Sequence, residues 1–108
     1  MEQINEKRLE ELKREGTPLV IDFFADWCGP CKTMGKLLEE LEADYEGKMK
    51  LVKCNVEDEY ELADEFHIRN VPTLVFVKGD TERRITCALK RENLKEELDA
   101  FLGSSTIQ

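Results

Sequence analysis

The feature that most constrains this chain is a short apolar run, Leu19-Val20-Ile21-Asp22-Phe23-Phe24-Ala25, that feeds almost directly into a helical repeat. So continuous a run fits a β-strand buried on both faces, and such a strand requires helices packed above and below its sheet. Beyond the next loop, Met34, Leu37, Leu38, Leu41 and Tyr45 recur at the 3.6-residue period. That spacing predicts a helix from about Cys31 to Tyr45, closed by Gly47. Only Asp22 interrupts the apolar strand, and a carboxyl in such a place needs a reason.

The remainder of the chain repeats the alternation of strand and helix. Leu9 and Leu12 mark a surface helix that Asn5 caps and Gly16 stops. Met49 to Val56 reads as a second strand, less cleanly, because Lys53 and Asn55 share a face with Leu51. Asn55 is then expected to cap a short helix through Leu62, Ala63 and Phe66. Thr73–Val77 and Arg83–Leu89 read as paired strands around Lys78-Gly79-Asp80-Thr81, where Gly ahead of Asp suggests a type II′ turn. A last helix over Arg91–Leu102 turns Leu94, Leu98 and Phe101 inward and ends at Gly103, after which Ser104–Gln108 is expected to fray. Glu2–Ile4 supplies a candidate edge strand. The expectation is one α/β domain over residues 1–108 with three layers, α/β/α, and a central mixed sheet of four to five strands. Strands separated by helices should run parallel, and the closing hairpin should add antiparallel ones.

A length of 108 residues leaves no room for a second domain. With 16 basic against 24 acidic residues and a net charge of −8, the chain has no basic face for phosphates, which argues against nucleic acid. It has no apolar run of the length a membrane span requires, and Met1–Arg8 has no apolar stretch behind its charges to suggest export. A cytoplasmic monomer is therefore expected. A chain of this size buries roughly two thirds of its unfolded surface, so its four cysteines need not act as structural staples. In a reducing compartment, closely spaced cysteines read as catalytic or metal-binding.

Two of them stand in Trp27-Cys28-Gly29-Pro30-Cys31-Lys32, at the carboxyl end of the buried strand, where α/β proteins usually place their chemistry. Two intervening residues let both sulfurs meet across one helical turn, so a bridge can open and close with little backbone movement. Cys28, at the helix N-terminus, feels the positive end of the helix dipole and free N–H groups, which favour thiolate. Cys31, one turn deeper, is better suited to attack a mixed disulfide than to start one. Pro30 fits the first helical turn, where its missing N–H costs nothing. Zinc is the weaker reading: Cys54 and Cys87 are single and far apart, and His67 is the only imidazole. A purely structural bridge is also weak, since so short a loop constrains the unfolded chain little.

Asp22-Phe23-Phe24-Ala25-Asp26-Trp27-Cys28-Gly29-Pro30-Cys31-Lys32 and Asn70-Val71-Pro72-Thr73-Leu74 together resemble the thioredoxin family, its active-site strand and loop and its cis-proline segment. The likeness runs in order from about Leu19 to Leu102. It implies a thioredoxin fold and a thiol–disulfide oxidoreductase that reduces protein disulfides through a Cys28–Cys31 redox disulfide, with Cys28 the nucleophile and Cys31 the resolving thiol. It implies that Asp22, its pKa raised by desolvation, exchanges a proton with Cys31, and that Lys53 tunes Asp22. It also implies a cis bond before Pro72 and a substrate groove formed by Trp27, Gly29, Pro30, Val71, Pro72, Cys87 and Ala88, with Val71 offering backbone groups to an extended segment. Partners would be disulfide-containing proteins and a thioredoxin reductase supplying electrons from NADPH, with no cofactor and no metal on this chain.

The sequence departs from the family pattern at three places. Lys36, after Gly35, stands where most thioredoxins kink the helix with a proline. Phe24 stands where bacterial members often carry Trp, a swap expected to be tolerated. Cys87 replaces a groove-lining glycine and brings a third thiol, while Cys54 is expected in the core. His67 is expected at a helix end, and the acidic faces around Glu57–Glu65 and Glu92–Asp99 in solvent. Two other classes stay open: a disulfide oxidase or isomerase, against which Gly29-Pro30 argues, and a non-catalytic interaction module, which would not need both cysteines.

Overall fold

The computed structural model describes residues 1–103, so the expected fraying of Ser104–Gln108 lies outside the described residues. The chain runs β1 (Glu2–Gln3), α1 (Glu6–Glu15), β2 (Leu19–Phe24), α2 (Gly29–Leu41), β3 (Lys50–Asn55), α3 (Tyr60–Glu65), β4 (Thr73–Lys78), β5 (Thr81–Ile85) and α4 (Arg91–Gly103). Five strands form one sheet in the order β1-β3-β2-β4-β5. β2 lies at its centre, parallel to β3 and antiparallel to β4. No helix among the described residues is long and apolar enough to cross a membrane.

Strand alternation divides the core into two layers. Leu19, Ile21 and Phe23 of β2 pack with Leu9 and Leu12 of α1 and Leu62 and Ala63 of α3. On the other face, Val20 joins Met34, Leu38 and Leu41 of α2 and Leu94, Leu98 and Phe101 of α4. The helices therefore cover both faces, giving the expected three layers. The same alternation accounts for the uneven pattern of β3. Val52 and Cys54 face the α1 and α3 side and Leu51 the α2 side, so Lys53 occupies a position on the α2 face near the strand's end.

The caps of α1 are as expected. Asn5 accepts from the Arg8 N–H at 2.9 Å, and Gly16 ends the helix at φ 79°. The turn after β4 also fits: Gly79 takes φ 59° while Lys78 pairs with Thr81 across a two-residue loop. Other boundaries shift. α2 starts at Gly29, because Cys28 itself is the cap, and stops at Leu41, with a 3-10 turn over Glu42–Tyr45. It is continuous through Gly35 and Lys36. β5 ends at Ile85 rather than Leu89, since the chain leaves the sheet edge for the loop carrying Cys87.

Asn55 does not cap α3. Its Oδ1 instead accepts from the Glu57 and Asp58 N–H groups at 2.8 and 3.3 Å, turning the chain immediately after β3, while α3 begins at Tyr60 with no side-chain cap. The second correction is one of direction. β4 follows a helix yet runs antiparallel to β2. With 6 residues, α3 rises only about 9 Å, against about 20 Å for a strand of 6 residues. The chain therefore re-enters the sheet at the end where β2 and β3 leave it.

His67, just past α3, holds φ 55°, a left-handed conformation that suits glycine, and Arg84 of β5 donates to the Phe66 carbonyl at 2.6 Å beside it. A side chain in that region costs about 1–2 kcal/mol, partly offset by the greater freedom glycine adds to the unfolded chain. His67→Gly is expected to raise stability by about 0.5–1 kcal/mol, read as a higher urea midpoint at unchanged slope.

Candidate functional site

The site grows from the end of β2. After Phe24 the chain turns over Ala25–Trp27, with the Cys28 N–H donating to the Ala25 carbonyl at 3.2 Å. Cys28 then caps α2: its extended backbone directs Sγ back over the first turn, where the Cys31 N–H donates to it at 3.2 Å. Pro30 occupies that first turn, where an N–H would have no helical partner. Cys28 and Cys31 form a disulfide with their Cα atoms 5.2 Å apart. Both are buried, at 5% and 3% exposed, so Cys31 is only slightly the more shielded in this oxidised state. Once the bridge is reduced, the helix dipole and the Cys31 N–H both favour a thiolate on Cys28.

The loop before β4 closes over the pair. The Val71–Pro72 bond is cis, and the Val71 carbonyl oxygen lies 3.8 Å from the Cys28 sulfur. Trp27 stands beside it, 70% exposed, with its indole N–H donating to Glu57 at 3.0 Å. Trp27 is thus both anchored at its tip and open on its face. Trp27, Val56, Ile68 and Val71, with Arg69 and Asn70, line a cleft of about 310 Å³. Its walls are an aromatic face, aliphatic side chains and backbone, a surface suited to an extended peptide.

A second pocket, of about 250 Å³, opens behind Cys31 and reaches Asp22, Lys53 and Gly35. Asp22 is 1% exposed, and its Oδ1 has no hydrogen-bond partner. Burial pushes its carboxyl up to about 7, while the positive charge of Lys53, its register neighbour on β3, pulls in the opposite direction. Where α2 crosses Asp22 it presents Gly35, at which a methyl group would stand 3.8 Å from Oδ2, an ordinary contact. The Lys53 ammonium lies 5.6 Å from the centre of the Phe24 ring, so the aromatic at position 24 contributes to this pocket.

The structure therefore brings together Cys28, Cys31, Trp27, Gly29, Pro30, Val71 and Pro72 on one side, and Asp22, Lys53 and Cys31 on the other. Cys87 and Ala88 are exposed in the loop after β5, and among the described residues no hydrogen bond or ion pair ties them to the cysteine pair. Cys54 is fully buried, and burial followed by nearby Glu59 and Asp58 pushes its thiol up to about 12, which leaves it unreactive. Among the described residues no group of three His, Cys, Asp or Glu side chains could hold a metal ion. Sequence reading missed Glu57, the partner of Trp27. It lay in an acidic stretch read as solvated, and only the turn at Asn55 aims it at the indole.

The buried carboxyl gives stability a definite pH dependence. In the unfolded chain Asp22 ionises near its ordinary 3.8, in the folded chain near 7, so between these values unfolding releases a proton. Stability then falls as pH rises through that window, and below it both states are protonated and no penalty remains. Asp22→Asn is expected to stabilise the oxidised protein by about 2–4 kcal/mol at pH 8 and hardly at all at pH 4, measured by urea unfolding at both pH values.

Comparison with known proteins agrees with this geometry. The family model described as Thioredoxin matches residues 2–100. A thioredoxin of Pseudomonas aeruginosa is 38% identical over 90 residues, 82% of each chain. The chloroplastic thioredoxin-like protein CITRX of Oryza sativa is 41% identical over 96 residues, 87% of this chain and 49% of that protein. The chain thus spans about half the length of the CITRX relatives it matches, 49% also for that of Solanum tuberosum. Among solved structures, Fasciola hepatica thioredoxin superposes with a TM-score of 0.84 at 30% identity, covering 94% of this chain and 99% of the other. Chloroplastic thioredoxin z gives a TM-score of 0.83 at 30% identity, covering 94% and 93%. On this evidence the chain belongs to the thioredoxin family.

Proposed function

We propose that this protein is a thiol–disulfide oxidoreductase that reduces disulfides in protein substrates. The observation that carries the reading is the Cys28–Cys31 disulfide at the start of α2, with the cap N–H aimed at the Cys28 sulfur and a peptide-sized cleft alongside. An extended substrate segment lies along Trp27 and Val71, with its disulfide over Cys28. In the reduced enzyme the Cys28 thiolate attacks one substrate sulfur; the S–S bond breaks, and the other sulfur leaves as a thiolate that takes up a proton. Cys31 gives its proton to Asp22, attacks the Cys28 sulfur of the mixed disulfide and releases the second substrate thiol. Two electrons pass from the dithiol to the substrate, leaving the 28–31 bridge.

Asp22 suits this role because a carboxyl titrating near 7 can both take and return a proton at neutral pH. Reducing equivalents come from NADPH through a thioredoxin reductase, with no cofactor held here. Cytoplasmic placement and a monomeric state belong to the same proposal, checked by fractionation and by light scattering.

With Cys54 and Cys87 changed to serine, equilibration against thiol buffers is expected to give a potential of about −270 mV; about −180 to −120 mV would instead make the protein an oxidant or isomerase. Cys31→Ser is expected to halt the reaction at the mixed disulfide, seen by mass spectrometry as a substrate adduct on Cys28. Cys28→Ser should form none, and an adduct that persists there would remove Cys28 from the nucleophile's role.

A further inference from the structure

The pocket over Asp22 holds more charge than that carboxyl and its neighbour on β3. Lys32, Lys36 and Glu39 face it from α2, Lys53 from β3 and Asp26 from the loop after β2. Gly35, Lys36 and Glu39 share one helix face by their spacing. Lys53 stands in register with Asp22 on the adjacent strand, the position from which an ammonium would ordinarily pair with it. Yet among the described residues Lys53 pairs with Glu39, at 3.8 Å from Nζ to Oε2, while Asp22 Oδ1 is left without a partner. The Phe24 ring lies beneath the same ammonium, so Glu39 and Phe24 hold it between them. Glu39 Oε2 also lies 3.8 Å from the Met1 nitrogen, whose other carboxylate neighbour is Glu42 at 3.5 Å.

We propose that Glu39 is a positioning residue: its carboxylate draws the Lys53 ammonium towards the mouth of the pocket and away from a direct ion pair with Asp22. The buried carboxyl is thereby left free to receive a proton. If Lys53 instead closed onto Asp22, the aspartate would be fixed as a carboxylate, a weaker base with its lone pairs already engaged. Glu39 touches neither sulfur nor substrate and acts only through Lys53. Its carboxylate is half exposed, so breaking the pair is expected to leave the fold intact, since an exposed ion pair contributes little to stability.

The consequence for catalysis rests on the role proposed above for Asp22, but the position of Lys53 does not. The test therefore reads the Asp22 titration directly, by carbon NMR of its carboxyl in the oxidised protein, and separately the pH profile of disulfide reduction. Glu39→Gln removes the charge and keeps the shape. It is expected to lower the Asp22 midpoint by about one pH unit as Lys53 moves inward, and to shift the acid limb of the rate profile the same way. In a Lys53→Met background the same substitution should move the midpoint by less than a third as much. Glu42→Gln, which removes a carboxylate beside Met1 without touching Lys53, should leave it in place.

A midpoint that Glu39→Gln does not lower would overturn the proposal. So would equal shifts with and without Lys53, since Glu39 would then act by its own field. If the titration moves as expected while the acid limb of the rate profile stays where it was, the positioning role stands and the catalytic assignment of Asp22 falls.

Discussion

Everything in this molecule hangs on β2 being buried on both faces. Leu19, Ile21 and Phe23 anchor one layer of helices and Val20 the other, so the strand is the shared wall of two cores. At roughly 25 cal/mol per Å² of apolar surface, burying these side chains is what holds the strand's end in place. That rigidity matters because the strand ends at the cysteine turn. Cys28 can cap α2 with its sulfur only if strand and helix meet at a constant angle, and packing of both elements into the same layer supplies it.

The same burial creates a conflict in the core. Asp22 occupies a site that apolar neighbours would stabilise, and it has no hydrogen bond to compensate at Oδ1. The conflict is eased from the edges rather than removed: α2 crosses with a glycine, a pocket opens beside the carboxyl, and Lys53 lies within electrostatic reach. Stability lost at this point is a proton affinity gained near neutral pH, and strained local choices of this kind concentrate at functional positions.

The second half of the site depends on how the chain returns. Because α3 is too short to carry it across the sheet, β4 starts beside the end of β2, and the preceding loop brings the Val71 carbonyl against Cys28. Arg84, reaching from β5 to the Phe66 carbonyl, ties the end of α3 to the sheet just before that loop. The cleft next to Trp27 is therefore bounded on one side by the cysteine turn and on the other by a segment more than forty residues away in sequence.

Much of this was legible in the residues. The apolar run of β2, the 3.6-residue period of α2, the caps at Asn5 and Gly16 and the two-residue turn at Gly79 are local matters, written in neighbours a few positions apart. So was the cysteine pair, since its spacing across one helical turn is itself a statement about geometry. The apolar pattern marked Asp22 as out of place, while resemblance supplied its role and pointed to Lys53 and Pro72. What the sequence left open was decided at a distance. The direction of β4, the turn at Asn55 that replaces a helix cap, the indole bond to Glu57 and the pairing of Lys53 with Glu39 all depend on which elements come to lie side by side. Short-range periodicity determined which elements would form and where the sulfurs would sit; only packing decided which charges and carbonyls would face them, because those contacts join segments that no local pattern connects.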